Sequence, residues 1–243
     1  MKAATTLLLF DIDGTLVDTG GAGLLSLEAG FFDAFPDHRR TEFPALDLGG
    51  ATDSGVVGFL FEYFGVVDTP EHRSRFYECY TGSLSIHLRK FSEERKGRVL
   101  PGVESLLAAL GLDPSFELGV LTGNVEAGAW IKLRHFALDH HFSHGAYGCD
   151  HHDRNELGPI ARERARQASG IDFPPERIIV LGDTPKDVAC ARALGARVIA
   201  VATGAATRPS LELASPDILM DDFSDTSAVL TVLESLRPGI DPR

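Results

Sequence analysis

The sequence predicts an α/β protein: an open parallel sheet with helices on both faces, interrupted after its first strand by an all-helical insertion. Two observations carry this. Short apolar runs (Thr5–Phe10 and residues 116–123, 177–183 and 197–204) alternate with segments of helical periodicity, the signature of crossover units whose strands are buried on both faces. Between residues 19 and 98 that alternation stops, and apolar residues recur only at helical spacing.

The elements follow in order. Thr5–Phe10 is a strand ending in Asp11-Ile12-Asp13-Gly14-Thr15. Residues 21–35, 54–66 and 71–91 read as helices, punctuated by Pro36, Pro44, Gly49-Gly50 and Pro70. After Pro101-Gly102, residues 103–111 form a helix, 116–123 a strand and 125–138 a helix; 142–148 form a short strand and 155–168 a helix. Residues 177–183 form a strand, 187–194 a helix stopped by Gly195, and 197–204 a strand. The expected division is a core of residues 1–18 and 99–243 and a helical cap of residues 19–98. The tail from Ser235, with two prolines, is expected to fray.

Composition narrows the function. The 243 residues are 44% hydrophobic and 24% charged, ordinary globular usage. Cys79, Cys149 and Cys190 are too few and too scattered for a disulfide framework and read as buried thiols of a reducing compartment. Lys and Arg number 23 against 35 Asp and Glu, a net charge of −12, which excludes a counterion-releasing nucleic-acid binder and argues against an anionic membrane surface. The first apolar run is too short for a signal segment or a membrane span, so a cytoplasmic protein, monomer or homodimer, is expected.

In open parallel sheets ligands bind beyond the carboxyl ends of the strands, and three of the runs end there in chemically capable residues: LLLFDID, FELGVLTGN and RIIVLGDTPKD. Asp11 and Asp13, two apart, are expected to point the same way, and Asp183 is followed by Asp187 one turn into the next helix. Carboxylates gathered at one edge repel unless a cation sits among them, and an all-oxygen set without His or Cys favours Mg²⁺. A lone Asp at such a place also serves as a turn former or helix cap.

Asp11-Ile12-Asp13-Gly14-Thr15-Leu16-Val17 resembles the first motif of the haloacid dehalogenase superfamily, Thr122-Gly123-Asn124 its second, and Gly182-Asp183-Thr184-Pro185-Lys186-Asp187 its fourth. The order and strand-end placement match as well, and the helical insertion resembles the cap of the phosphoglycolate-phosphatase-like members. The resemblance implies a Rossmann-like core and a Mg²⁺-dependent phosphatase acting on a small phosphorylated metabolite, phosphoglycolate or a sugar phosphate by analogy. It implies Asp11 as nucleophile forming an aspartyl-phosphate and Asp13 as general acid/base, its backbone carbonyl also binding the metal. Asp11, Asp13, Asp183 and Asp187 form the implied metal set, Asp187 ligating or orienting. Thr122 donates to a phosphoryl oxygen, and Gly14, Thr15, Gly123 and Asn124 border the substrate. Thr122 and Asn124 equally fit helix-capping positions.

The family's third motif is a lysine near the start of the helix before the fourth-motif strand, and residues 150–167 contain none. Arg154 stands at that helix entry and is the candidate replacement, its planar fork able to bind two oxygens. Arg162 and Arg164 are expected to be solvated, and Lys186 to point outward. The histidines His140, His141, His144, His151 and His152 read as surface or loop residues, with His151 or His152, next to Arg154, the ones placed to edge the site. Trp130 and the cap aromatics (Phe31, Phe32, Phe35, Phe59, Phe61, Tyr63, Phe64) read as core. Gly20-Gly21-Ala22-Gly23 suits a flexing linker; no nucleotide-binding glycine motif is present. Thr19 and the cap loop 48–55 are expected to face substrate. The alternatives are a phosphomutase of the same fold, a 2-haloacid dehalogenase, which Asp13 disfavours, and a non-catalytic binding protein.

Overall fold

The computed structural model describes residues 5–94 and 96–237. In chain order the elements are β1 (Thr6–Phe10), β2 (Val17–Asp18), α1 (Ala22–Ala34), α2 (Asp53–Phe64), α3 (Pro70–Glu93), β3 (Arg98–Val99), α4 (Val103–Gly111), β4 (Phe116–Leu121), α5 (Glu126–His135), β5 (Gly145–Ala146), α6 (Leu157–Ser169), β6 (Ile178–Gly182), α7 (Pro185–Leu194), β7 (Arg197–Val201), α8 (Arg208–Ala214), β8 (Ile218–Met220) and α9 (Thr226–Ser235).

Six strands form one parallel sheet in the order β5-β4-β1-β6-β7-β8. β1 lies between β4 and β6, and all five of its residues are buried, which is why it reads as unbroken apolar sequence. Strand alternation divides its side chains. Leu8 and Phe10 join Leu106, Leu107, Leu110, Ala129, Leu133 and Val229 on one face, beneath α4, α5 and α9. Leu7 and Leu9 join Leu157, Ala161, Val188, Ala191 and Leu211 on the other, beneath α6, α7 and α8.

Helices α1, α2 and α3 enclose a third apolar cluster around Phe31, Phe61, Phe76 and Tyr80, stacked in part (Phe31–Phe64 centroids 4.3 Å apart). The chain enters and leaves this bundle through the antiparallel ribbon Val17↔Val99 and Asp18↔Arg98, while Leu88–Glu93 still belong to α3. Leu88 and Phe91 on that run are buried.

Several expectations need correction. The sheet has a sixth strand, β8, and helices α8 and α9, none of which the sequence reading identified; β8 is only three residues long and half-buried, too brief to show a period. The strand expected over 142–148 shrinks to Gly145–Ala146. Phe59 and Tyr63 are about half exposed rather than core, because α2 turns only one face inward. Cys190 is buried and Cys79 half-buried, but Cys149 is exposed in the turn after β5. Ser235 closes α9, and residues 238–243 of the tail lie outside the described residues. Among the described residues no helix is long and apolar enough to cross a membrane.

Candidate active site

The adjacency of β4, β1 and β6 brings their carboxyl ends together. Asp11 follows β1 directly, and its N–H still donates to the Leu181 carbonyl of β6 (2.9 Å). Asp183 follows β6. Asp187 occupies the first turn of α7, where Thr184 is the N-cap; the Asp187 Oδ2 accepts from the Thr184 N–H (2.9 Å) and hydroxyl (2.7 Å), a reciprocal capping box. One carboxylate oxygen from each of Asp11, Asp183 and Asp187 lies within 4.8 Å of the others, and all three residues are buried.

Arg154 enters this cluster from the short 3₁₀ turn that precedes α6, where the sequence placed it. Its Nη2 donates to Asp187 Oδ1 (2.5 Å) and lies 3.3 Å from Asp11 Oδ2. Thr15 donates its hydroxyl to Asp183 Oδ1 (3.1 Å). One guanidinium does not balance three buried carboxylates. Burial together with mutual repulsion lifts Asp11 to about 6 and Asp183 to about 9, against the pull of Arg154 and, at Asp183, of the Thr15 hydroxyl.

These shifts set a sign for pH dependence. The folded protein holds protons on Asp11 and Asp183 that the unfolded chain releases near pH 4, so above that pH stability falls until each group is ionised in the folded state as well, and the loss then persists. In EDTA the melting temperature is therefore expected to fall as pH rises from about 5 to 9, and added divalent cation to reverse the loss. A melting temperature that rises over that range would contradict the charge balance described here.

Two glycines hold Asp183 in place. Gly14 adopts φ +79°, and a Cβ there would sit 2.3 Å from Asp183 Oδ2; a Cβ on Gly204 would sit 1.6 Å from the same oxygen. Gly204→Ala must displace that carboxylate without straining the backbone. If the trio holds a divalent cation, the substitution should weaken that binding by about 10- to 100-fold in calorimetric titration while leaving the fold cooperative; an unchanged affinity would count against Asp183 as a ligand.

Asp13 departs from expectation. Its side chain is 40% exposed and stands outside the trio, though in the same cavity, where Oδ2 accepts from Lys132 Nζ (2.5 Å) of α5 and from Asn124 Nδ2 (2.8 Å). The strand ends at Phe10, so the two-residue period that would have aligned Asp13 with Asp11 no longer applies. Asn124 also donates to Thr122 Oγ1 (2.8 Å) and accepts from Lys132 (2.6 Å); neither Thr122 nor Asn124 caps α5, whose N-cap is Val125.

Lys132 was missed. It is 3% exposed and shares the buried face of α5 with Gly128, Ala129 and Leu133. The signal was present in the sequence as a lysine on the apolar side of a helix, a position that needs a partner. The other missed residue is Asp53. It belongs to the loop 48–55 that was expected to face substrate, and its carboxylate accepts from the Val125 N–H (2.8 Å). Burial pushes it up to about 6, opposed by Lys132.

That loop is fastened to the core. The Asp53 and Ser54 N–H groups donate to the carbonyls of Gly123 (2.7 Å) and Gly148 (3.3 Å), and the Thr52 hydroxyl donates to the His152 carbonyl (2.7 Å). Beneath it lies a cavity of about 430 Å³, lined by Asp11, Asp13, Gly14, Thr19, Gly123 and Asp53 among others. Among the described residues no histidine lines it. His144 is buried, not superficial, with Nε2 3.1 Å from Glu117 Oε1. His152 touches the loop only through its carbonyl. Arg164 is forked onto Asp150 (2.6 and 2.8 Å) rather than simply solvated, and Lys186 is exposed as expected.

The profile of the haloacid dehalogenase-like hydrolases matches residues 8–192. The chain belongs to that family. It is similar to the probable phosphatase IndB of Dickeya dadantii (strain 3937), 29% identical over 223 residues that cover 90% of each chain. It is also similar to the pyrophosphatase PpaX of Bacillus cereus (strain Q1), 22% identical across 92% of this chain and 95% of the relative. Among solved structures, a predicted phosphoglycolate phosphatase from Haemophilus somnus 129PT superposes with a TM-score of 0.63 at 21% identity, covering 93% of this chain and 98% of that one. A β-phosphoglucomutase from Clostridium difficile superposes at 0.66 with 13% identity, covering 95% and 98%. These two establish the Rossmann-like fold. The chain is thus an HAD-like hydrolase, and the curated relatives it resembles are phosphatases.

Proposed function

We propose that this HAD-like hydrolase is a Mg²⁺-dependent phosphatase that hydrolyses a small phosphorylated metabolite through an aspartyl-phosphate on Asp11. The observation that carries the reading is Asp11 itself: a buried carboxylate at the end of the central strand, within 4.8 Å of Asp183 and Asp187 and 3.3 Å from Arg154. The donor set is all oxygen, buried and deficient in positive charge, which suits a hard divalent cation. Asp187 has one oxygen engaged by Thr184 and the other by Arg154, so Asp11 and Asp183 are the direct ligands and Asp187 the group that fixes the turn and the arginine. When bound, the ion supplies charge neutralisation for the phosphoryl oxygens.

The protein's own residues do the rest. An Asp11 oxygen attacks phosphorus in line, the ester P–O bond breaks, and Asp13 gives its proton to the departing alkoxide. In the second step Asp13 takes a proton from water, the water oxygen attacks phosphorus, and inorganic phosphate leaves with the Asp11 carboxylate restored. Lys132 and Asn124 hold the Asp13 carboxylate in one orientation between these transfers. Arg154 and the Thr122 hydroxyl face the phosphoryl group. Residues 19–98 act as a cap, entered through the β2–β3 ribbon, that excludes water when the loop 48–55 is fastened.

A panel of phosphomonoesters assayed with Mg²⁺ and with EDTA tests this. Inorganic phosphate should appear only with the metal. Conversion of a sugar phosphate to its isomer without phosphate release would replace the reading by a phosphomutase, and metal-independent halide release by a dehalogenase.

A further inference from the structure

The cavity holds more negative charge than its catalytic role explains. Five carboxylates line it, Asp11, Asp13, Asp18, Asp53 and Asp183, against two cationic side chains, Lys132 and Arg154. Both cations are already engaged. Arg154 is bonded to Asp187 and faces Asp11, and Lys132 is bonded to Asp13 and Asn124. A bound divalent ion and Arg154 would attend the phosphoryl group, at the sheet end of the cavity. The remaining wall is built by α1, α2 and α3 and the loop 48–55: Leu24, Leu27, Leu48, Val56 and Tyr80, with Asp53 among them. No cationic side chain of α1, α2, α3 or that loop lines the cavity, among the described residues.

Asp53 is the charged group of that wall. Its Oδ2 is committed to the Val125 N–H, and among the described residues nothing donates to Oδ1. Loop closure brings this carboxylate beside the core, because the same residue's N–H is bonded to Gly123. A substrate whose alcohol portion ended in a carboxylate or a second phosphate would press that anion against Asp53 and apolar side chains, with no free cation to receive it. Juxtaposed like charges in a closed, poorly hydrated space are strongly unfavourable.

We propose that the site selects phosphomonoesters whose alcohol carries no second anionic group, and that Asp53 is the residue that enforces the selection. The proposal rests on the phosphatase reading above and narrows its substrate class. Of the two substrates that analogy suggested, it sets aside phosphoglycolate and keeps esters of uncharged alcohols such as sugars, along with those of amine-bearing alcohols.

Three two-carbon esters of nearly equal size isolate the charge: carboxymethyl phosphate (phosphoglycolate), 2-hydroxyethyl phosphate and 2-aminoethyl phosphate. At pH 8 with Mg²⁺, kcat/KM for the hydroxyl and amino esters is expected to exceed that for the carboxylate ester by at least about tenfold. Asp53→Asn keeps an acceptor for Val125 and removes the charge, so it should shrink that ratio severalfold, through KM more than kcat. Binding of the same esters to the Asp11→Asn variant, measured by calorimetry, reads selection without turnover. Equal or preferred use of the carboxylate ester by the wild type overturns the proposal while leaving the phosphatase reading intact. So does a ratio unmoved by Asp53→Asn. If no ester is hydrolysed yet the two non-anionic ones bind the Asp11→Asn variant preferentially, the phosphatase reading fails and the selectivity stands; binding without discrimination overturns the selectivity.

Discussion

Asp11→Asn is expected to lose phosphate release by about 10⁴-fold or more, the scale on which removal of an enzymatic nucleophile registers, and to melt at a higher temperature than the wild type in EDTA at pH 8. The two effects have one cause. A carboxylate with its pKa lifted by burial and by Asp187 is ionised at pH 8 only at a cost to the folded state, and the amide carries no such cost. Asparagine is nearly the same shape, retains the backbone bond to Leu181, and leaves Arg154 its stronger partner Asp187. Saturating Mg²⁺ should narrow the gap in melting temperature, since the wild type gains more from the cation. The observation that defeats the assignment is residual hydrolysis within about tenfold of wild type from a well-folded Asp11→Asn protein. A lower melting temperature for the variant in EDTA would instead say that Asp11 is a net stabiliser, and that the trio is less crowded with charge than its geometry indicates.

Arg154→Ala is expected to produce the largest loss of stability. The guanidinium is buried, with Nη2 shared between Asp187 and Asp11 and also 3.4 Å from the Leu121 carbonyl. Removing one member of a buried ion pair strands the others, which costs about 3–5 kcal/mol. Here Asp187 also anchors the first turn of α7, so the loss should appear as a lower urea midpoint with little change in slope. Turnover should fall by about 10³-fold as the charge facing the phosphoryl group disappears. Arg154→Lys separates charge from reach: an ammonium restores a positive charge beside Asp11 and Asp187, but on a shorter side chain it does not regain the place that Nη2 holds between them. It should recover most of the stability and only part of the rate. Full recovery of both by lysine would mean that the longer reach of arginine has no special function here.

The parts of the site that sequence made legible are those whose geometry is local. An apolar strand delivers whatever follows it to the sheet edge, so LLLF places Asp11 and RIIVLG places Asp183. A Thr-Pro-x-Asp turn caps its own helix, so Asp187 follows from Thr184. Arg154 was legible because it stands at a helix entry three residues before α6. What stayed hidden depends on packing between elements. Lys132 reaches Asp13 only because α5 lies over β1 and β4 with one rotation about its axis, and a search confined to residues 150–167 could not find it. Asp53 reaches the site only when the helical bundle is seated on the core. Asp13 turns aside because the strand ends three residues earlier. His144 disappears into the interior by pairing, from the residue before β5, with Glu117 of β4, a relation that its own heptapeptide does not contain.

The way the loop 48–55 is held has a consequence for how this protein can change over generations. Two of its fastenings, from Asp53 and Ser54 to Gly123 and Gly148, involve main-chain groups alone, which every residue except proline carries. Of these two donors only Asp53 lines the cavity, so exchanging its side chain would alter the lining while the main-chain fastening of the loop is retained. A change in the lining at that position therefore need not disturb the seating of the loop on the core.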